Sequence, residues 1–495
     1  MPKSTSHLSQ NEGLIFERSS LGRSGYDLPP SDVPDPDLAL ALGSENVRES
    51  IAGFPELSEL DVVRHFTRLS TWNYSIDTGF YPLGSCTMKY NPRINERVAR
   101  FEGIAYTHPL APEPFVQGNL EILKTLGDLL VEITGMDAAS LQPPAGASGE
   151  LAGVMMIRAL LSDRGNPRQK ILIPDSAHGT NPASASIAGY KVESLKSDAH
   201  GCISLAALES AMNADVAALM LTNPNTLGIF ERNIVHITEI VHRRGGLVYM
   251  DGANLNALMG LAWPGDFGID VMHMNLHKTM STPHGGGGPG AGPVVVKKTL
   301  EPYLPSPVVA CDALGRYFLD HDRPRSIGKL KAYYGNFGTL VRALCYILAN
   351  GSAGLREASS TAILNANYLK HKLRDHYDLP YDEPVLHEVV FSNKRQAQQH
   401  LSVMDIAKRL MDYGFHPPTV AFPLIVPGAL MIEPTETEGK AELDLFAEAM
   451  KAIAAEAESN PDLLRSAPHA TRVKRLDEVQ AARRPVLRWK PPGIS

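Results

Sequence analysis

Cysteine is scarce in this chain of 495 residues: Cys86, Cys202, Cys311 and Cys345 are the only four. None stands in a CxxC pair, which argues against a zinc or redox motif. So few thiols in so long a chain fit a reducing compartment. Long apolar runs are missing too. No stretch approaches the roughly 20 apolar residues that span a bilayer. The opening Met1-Pro2-Lys3-Ser4-Thr5-Ser6-His7 lacks the apolar centre of a secretory signal. Cytoplasm is the expected location, with no membrane role. The formal net charge is -7, and no basic cluster weighs against it, so nucleic acid is not an expected partner. Internal repeats and low-complexity tracts are absent as well.

What is present is an ordinary globular composition, 43% hydrophobic and 20% charged. The length exceeds what one core holds. Residues 1–75 are expected to form an extended N-terminal arm, because Gly and Pro in Gly22-Arg23-Ser24-Gly25-Tyr26-Asp27-Leu28-Pro29-Pro30 forbid regular helix. The arm either lies on a partner or hangs loose. Apolar residues recur at helical spacing from Pro112 to Thr134, with Gly135 as a stop, and again from Leu151 to Leu161. Short apolar runs then alternate with helical patterns. The runs are Lys170–Pro174, Tyr190–Leu195, Val216–Thr222, Gly246–Met250, Val271–Asn275 and Pro293–Val296. That alternation predicts an α/β domain over 76–335 with a mostly parallel sheet covered on both faces. A helix is expected over about 330–375, then a smaller α+β domain within 336–470, then a basic extended tail over 471–495.

Five segments carry candidate chemistry. In Val271-Met272-His273-Met274-Asn275-Leu276-His277-Lys278-Thr279, an apolar strand runs into a lysine, and the glycines of Pro283-His284-Gly285-Gly286-Gly287-Gly288-Pro289-Gly290 follow. A buried lysine loses its proton readily and can form a Schiff base; a lysine at a strand end more often snorkels to solvent. The strand Gly246–Met250 ends in Asp251-Gly252-Ala253-Asn254, so Asp251 reaches the same carboxyl edge as Lys278. Asp251 suits either a ring-nitrogen carboxylate or a helix N-cap. The run Ala145-Gly146-Ala147-Ser148-Gly149-Glu150 opens a helix, where free N–H groups suit a phosphate, although tight turns look alike. His178, within Ala177-His178-Gly179-Thr180-Asn181, stacks on a ring or caps a loop carbonyl. Asn225, within Thr222-Asn223-Pro224-Asn225, reaches a ligand or closes an Asn-Pro turn. In chain order these segments supply phosphate, ring face, ring edge, ring nitrogen and amine. Together they meet the needs of one cofactor, pyridoxal 5'-phosphate. No metal is expected.

The run Asn275–Gly290 resembles the lysine segment of glycine dehydrogenase (decarboxylating), the P-protein of the glycine cleavage system. So do Ala177–Ser184, Gln142–Glu150 and Tyr81-Pro82-Leu83-Gly84-Ser85-Cys86-Thr87-Met88-Lys89-Tyr90-Asn91-Pro92. The likeness runs from about residue 14 to the C-terminus. It implies the aspartate-aminotransferase-like fold of type I pyridoxal-phosphate enzymes, and glycine decarboxylation with transfer of the aminomethyl group to lipoylated H-protein. Where the family is split in two, its subunit 2 bears the lysine, and this length and Gly22–Tyr26 resemble that subunit. Subunit 1 is then an implied partner, in an α2β2 heterotetramer. The resemblance makes Lys278, Asp251 and His178 catalytic, and gives the phosphate to Ser148, Gly149 and Thr279, with Ala147, Asn225, Ala253 and His277 also against the cofactor. His277 and His284 handle protons or the carboxylate, and Cys86 is read as a small buried residue. Two rival readings stay open: another type I aminotransferase or amino-acid decarboxylase, and a scaffold subunit without catalysis.

Overall fold

The computed structural model describes residues 12–48, 51, 53–285 and 290–490. The glycine run beside Lys278 therefore falls, from Gly286 to Pro289, outside the described residues, as does Met1–His7. The chain divides into two compact units, one drawn from both of its ends (up to Thr78 and from Ala470), the other from Gly79–His469.

The unit made from the ends departs from the extended arm and separate tail of the sequence reading. It contains a helix, Glu59–Ser70, whose Ser58 side chain accepts from the Asp61 N–H. That is an ordinary N-cap, which satisfies one of the free donors of the first turn. Phe16 stacks on Trp489 with centroids 5.0 Å apart, and the Arg472 guanidinium lies 3.6 Å over Trp72. Tail and arm thus share contacts that neither could make alone, which local periodicity does not reveal.

The Gly79–His469 unit is built on a seven-stranded sheet. Its strands are β1 (Ala138–Ser140), β2 (Lys170–Pro174), β3 (Lys191–Leu195), β4 (Val216–Thr222), β5 (Leu247–Gly252), β6 (Val271–Met274) and β7 (Val294–Val296), in the order β1-β7-β6-β5-β4-β2-β3. Pairings from β3 through β6 are parallel, and β7 is antiparallel to both β6 and β1. The near-continuous apolar strands are explained by burial on both faces. Leu219 and Leu221 of β4 and Val248 and Met250 of β5 enter one core, beside Leu120, Leu126 and Ile237. Their neighbours Ala218, Met220, Leu247 and Tyr249 enter the other, beside Val154 and Ile157. Alternate residues of one strand feed opposite layers.

Helices expected from periodicity lie at Gln117–Thr134, closed by Gly135 in the left-handed region at φ 67°, and at Gly146–Asp163. The second starts five residues before the expected Leu151. Strand β1 had no sequence signal, being three small residues long. After a hairpin, β8 (Val308–Cys311) and β9 (Tyr317–Asp320), a long helix spans Phe337–Leu373 and is interrupted at Gly351, φ 61°. A second, three-stranded antiparallel sheet follows, with β10 (Val389–Ser392), β11 (Thr419–Val420) and β12 (Ala429–Ile432) in the order β10-β12-β11. Val403–Asp412 and Lys440–Ser459 cover it, and Phe391, Ile406, Leu430 and Phe446 fill its core. No described helix is long and apolar enough to cross a membrane.

Candidate active site

The parallel strands β4, β5 and β6 place polar residues side by side at their carboxyl ends. In the register, Thr222 faces Asp251 and Asp251 faces His273. Immediately beyond β6 the chain turns into the short helix Leu276–Thr279, which carries His277 and Lys278. The strand ends border a cavity of about 330 Å³. Of the residues singled out from sequence, Lys278, Asp251, His178, Ala147, Asn225, Ala253, His277, His284 and Cys86 line it. Ser148, Gly149 and Thr279 are not among its described lining residues.

Physical reasons account for those three. Ser148 and Gly149 belong to the first turn of Gly146–Asp163, and their N–H groups both donate back to the Ala145 carbonyl, at 3.1 and 3.0 Å. Gly146 and Ala147 line the cavity, and their N–H groups, at the first two positions of the helix, have no partner one turn back. They can receive an anion such as phosphate. A Cβ at Gly146 would sit 2.2 Å from Asn275 Oδ1, so any larger residue there would displace the Asn275 side chain. The Thr279 hydroxyl accepts from the Leu255 N–H at 2.9 Å. The Asn225 side chain is also occupied. Its Nδ2 donates to the Gly201 carbonyl (2.7 Å), and its Oδ1 accepts from the Leu227 and Ile229 N–H groups. Asn225 therefore borders the cavity while closing a turn.

Asp251 is buried. Its Oδ1 accepts from the Ala253 N–H at 3.0 Å and lies 3.6 Å from His273 Nε2. His273 Nδ1 meets the Tyr249 hydroxyl at 2.5 Å. The Asn181 amide finds partners on both ends only with its nitrogen toward the carboxylates, where it donates to Asp251 Oδ2 (3.1 Å) and Glu150 Oε2 (2.9 Å). Glu150 is 1% exposed, and burial, then the Asp251 charge, push its carboxyl up to about 7. The His178 ring contacts Phe422 edge-on at 5.6 Å and meets the Thr180 hydroxyl at 2.9 Å through Nδ1. Among the described residues, nothing hydrogen-bonds or ion-pairs with the Lys278 amine.

The opposite wall is one that sequence reasoning missed. His387 and Glu388 line the cavity, both almost wholly buried, and Glu388 accepts from the Ser85 N–H at 3.0 Å. Burial and the nearby Glu433 push the Glu388 carboxyl well above the usual range. A faint signal existed: His-Glu is an ionisable pair inside the apolar run Val385–Phe391. Glu433 is tied down by Thr87 and Asn254. Burial, then His284 and Lys278, push the His277 imidazole down to about 3. His284 Nε2 meets the Cys86 carbonyl at 2.8 Å, and burial raises the Cys86 thiol. Cys86 is half-buried on the cavity wall, not in a core. Four buried polar atoms of residues lining the cavity make no hydrogen bond of good geometry among the described residues: Thr222 Oγ1, Asn275 Oδ1, Glu150 Oε1 and His387 Nδ1. Such a concentration fits a cavity shaped for a polar ligand.

Comparison with known proteins agrees with this architecture. The profile of the glycine cleavage system P-protein matches residues 37–321, and that of the glycine dehydrogenase C-terminal domain matches 358–469. The chain is 56% identical over 483 residues to the probable glycine dehydrogenase (decarboxylating) subunit 2 of Caldanaerobacter subterraneus, covering 97% of this chain and 99% of that one. It is 55% identical to the protein of that name in Bacillus licheniformis, with coverage of 97% and 99%. The crystal structure of glycine decarboxylase (P-protein) of the glycine cleavage system, in inhibitor-bound form, matches with a TM-score of 0.71 at 22% identity, covering 84% of this chain and 94% of that one. Lactobacillus brevis glutamate decarboxylase matches with a TM-score of 0.64 at 12% identity, covering 88% and 96%. These likenesses bear out the expected fold class, and the sequence matches show that the chain belongs to the glycine cleavage system P-protein family.

Proposed function

We propose that this chain decarboxylates glycine with pyridoxal 5'-phosphate and passes the aminomethyl group to the lipoyl arm of H-protein. The observation that carries the reading is the convergence of Lys278, Asp251 and His178 on one cavity at the carboxyl ends of β4–β6. The residues fit the cofactor. Gly146 and Ala147 offer N–H groups for its phosphate, His178 a ring face, Asp251 a charge for the pyridinium, and Lys278 a primary amine. When bound, pyridoxal phosphate supplies the electron sink for the pair left by departing CO2.

The chain's own groups set the conditions for that loss. Asp251, fixed by Ala253 and Asn181, holds a proton at the ring nitrogen. No arginine is among the described residues that line the cavity, and its imidazoles are held toward their neutral forms by burial. Apart from Lys278, whose amine is committed to the cofactor, a substrate carboxylate therefore meets no strong cation among the described lining residues that would stabilise it in the ground state and oppose its departure. An aminotransferase has the opposite need, since it keeps its carboxylate throughout. Glu388, whose carboxyl burial and Glu433 push well above the usual range, is a candidate proton donor within the cavity. Subunit 1 of the P-protein is the proposed partner, in a cytoplasmic α2β2 assembly; the "subunit 2" in the relatives' names supports this.

The test combines the chain with subunit 1 and lipoylated H-protein. Glycine–bicarbonate exchange is expected, along with visible absorption and borohydride labelling at Lys278. In Lys278→Ala the label should vanish and exchange fall about a thousandfold or more. Transamination without exchange would sink the reading, and a colourless, unlabelled chain would favour a scaffold.

A further inference from the structure

Glu150 stands at a junction. Its Oε2 accepts from Asn181 Nδ2 (2.9 Å) and from the Thr180 hydroxyl (3.1 Å). The same Asn181 amide donates its second hydrogen to Asp251 Oδ2 at 3.1 Å, and the Thr180 hydroxyl oxygen is 2.9 Å from His178 Nδ1. One carboxyl oxygen thus ties together the two side chains assigned to the pyridine ring, one for its nitrogen and one for its face. Asn181 and Thr180 both belong to the helix Thr180–Ile187, and Glu150 to the helix that opens at Gly146. The network therefore links two helices to β5.

The other oxygen, Oε1, is buried on the cavity wall and meets no donor in good hydrogen-bond geometry among the described residues, although the Ser184 hydroxyl approaches the carboxyl and partly offsets the upward push of burial. A carboxylate there would leave part of its charge unsolvated and unpaired, beside the charge of Asp251. A carboxylic acid protonated on Oε1 removes the unsolvated charge and its repulsion with Asp251, and leaves Oε2 as the double acceptor. Other ionisable groups around it are Tyr249 and Asp251 on β5, His273 on β6, and His178 and Lys278 across the cavity.

We propose that Glu150, as the neutral acid, is a positioning residue that holds Asp251 and His178 in place through Asn181 and Thr180. The inference rests on the pyridoxal-phosphate reading above. Burial and the Asp251 charge, which hold this carboxyl near 7, agree with the neutral form at the acid side of neutrality.

The experiment uses the full chain reconstituted with pyridoxal phosphate, comparing the parent with Glu150→Gln and Glu150→Leu. Glutamine keeps an oxygen acceptor and cannot ionise; leucine removes the acceptor. Cofactor affinity should fall about tenfold or more in Glu150→Leu and stay within about threefold of the parent in Glu150→Gln. The visible absorbance of the parent should change with a midpoint near pH 7, and Glu150→Gln should lack that change. Parental affinity in Glu150→Leu would overturn the proposal. So would an equal loss in both variants, or a midpoint near pH 7 that survives in Glu150→Gln. If Glu150→Leu does not fold, the affinity and pH trace of Glu150→Gln still decide. A parent chain that takes up no cofactor and shows no label on Lys278 overturns the underlying reading, and this one with it.

Discussion

Lys278 sits half-buried one turn beyond β6, and the groups around it govern how the protein responds to pH. His277 and Glu150 act in opposite directions. The His277 imidazole is lowered from 6.5 to about 3, so between those values the folded state binds fewer protons than the unfolded state. Stability should therefore fall as pH drops below 6.5, by at most about 2 kcal/mol at pH 5 from this group. His277→Gln should flatten that part of the profile in denaturant unfolding series at pH 5 to 7. Glu150 is raised from 4.5 to about 7, so here the folded state binds more protons. Its stabilising effect, complete below 4.5, should be lost as pH rises to 7. Glu150→Gln should then be more stable than the parent at pH 8, by about 3 kcal/mol at most. A Glu150→Gln profile parallel to the parent's would refute that sign.

At the scale of elements, the site depends on a helix approaching a strand more closely than side chains ordinarily allow. A Cβ on Gly149 would lie 2.2 Å from the Gly292 carbonyl oxygen and 3.1 Å from the His273 Cβ. The obstacle at 292 is backbone, which cannot swing aside. Gly149→Ala should force the helix Gly146–Asp163 away from the β6–β7 edge. We expect a destabilisation of about 2–3 kcal/mol, read by thermal unfolding, and a weaker phosphate contact at Gly146 and Ala147. A Gly149→Ala chain with unchanged unfolding temperature and cofactor affinity would show that the helix has room to move. Gly149 thus supports the cavity wall at Gly146 and Ala147 through packing, where the sequence reading expected direct contact with a phosphate.

At the scale of the whole molecule, the two chain ends form a unit with its own buried charge cluster. Glu12 is 8% exposed and pairs with Arg18 (2.6 Å), His65 (2.8 Å) and Arg68. Glu12 is the acid that Arg18, His65 and Arg68 share, with Asp61 as a further negative charge near the two arginines. Glu12→Ala should cost about 1–3 kcal/mol, because it removes the acceptor shared by the half-buried Arg18 and Arg68 guanidiniums. Limited proteolysis should then cut within residues 12–78 sooner than in the parent. An unchanged cleavage pattern would mean that the cluster is replaceable.

Periodicity alone located most of the sheet. The runs at β2 and β4 end where expected, since a strand buried on two faces must be apolar throughout its length. The order of Ala147, His178, Asn225, Asp251 and Lys278 along one α/β train was readable for a related reason: parallel strands deliver successive loops to one edge. Direction in space was not readable. Whether Ser148 or Gly146 points its N–H at the cavity depends on where the helix begins, and Gly146 and Gly149 are set there by contacts with Asn275 and Gly292, over a hundred residues away in sequence. The partnership of Glu150 with Asn181, the Glu388 wall and the Glu12 cluster are likewise long-range. The sequence by itself determined which residues could do chemistry, because their types and strand-end positions are local properties. Only the tertiary structure decided which of them share the cavity, since burial and hydrogen-bond partnership belong to the packed chain and to no segment of it.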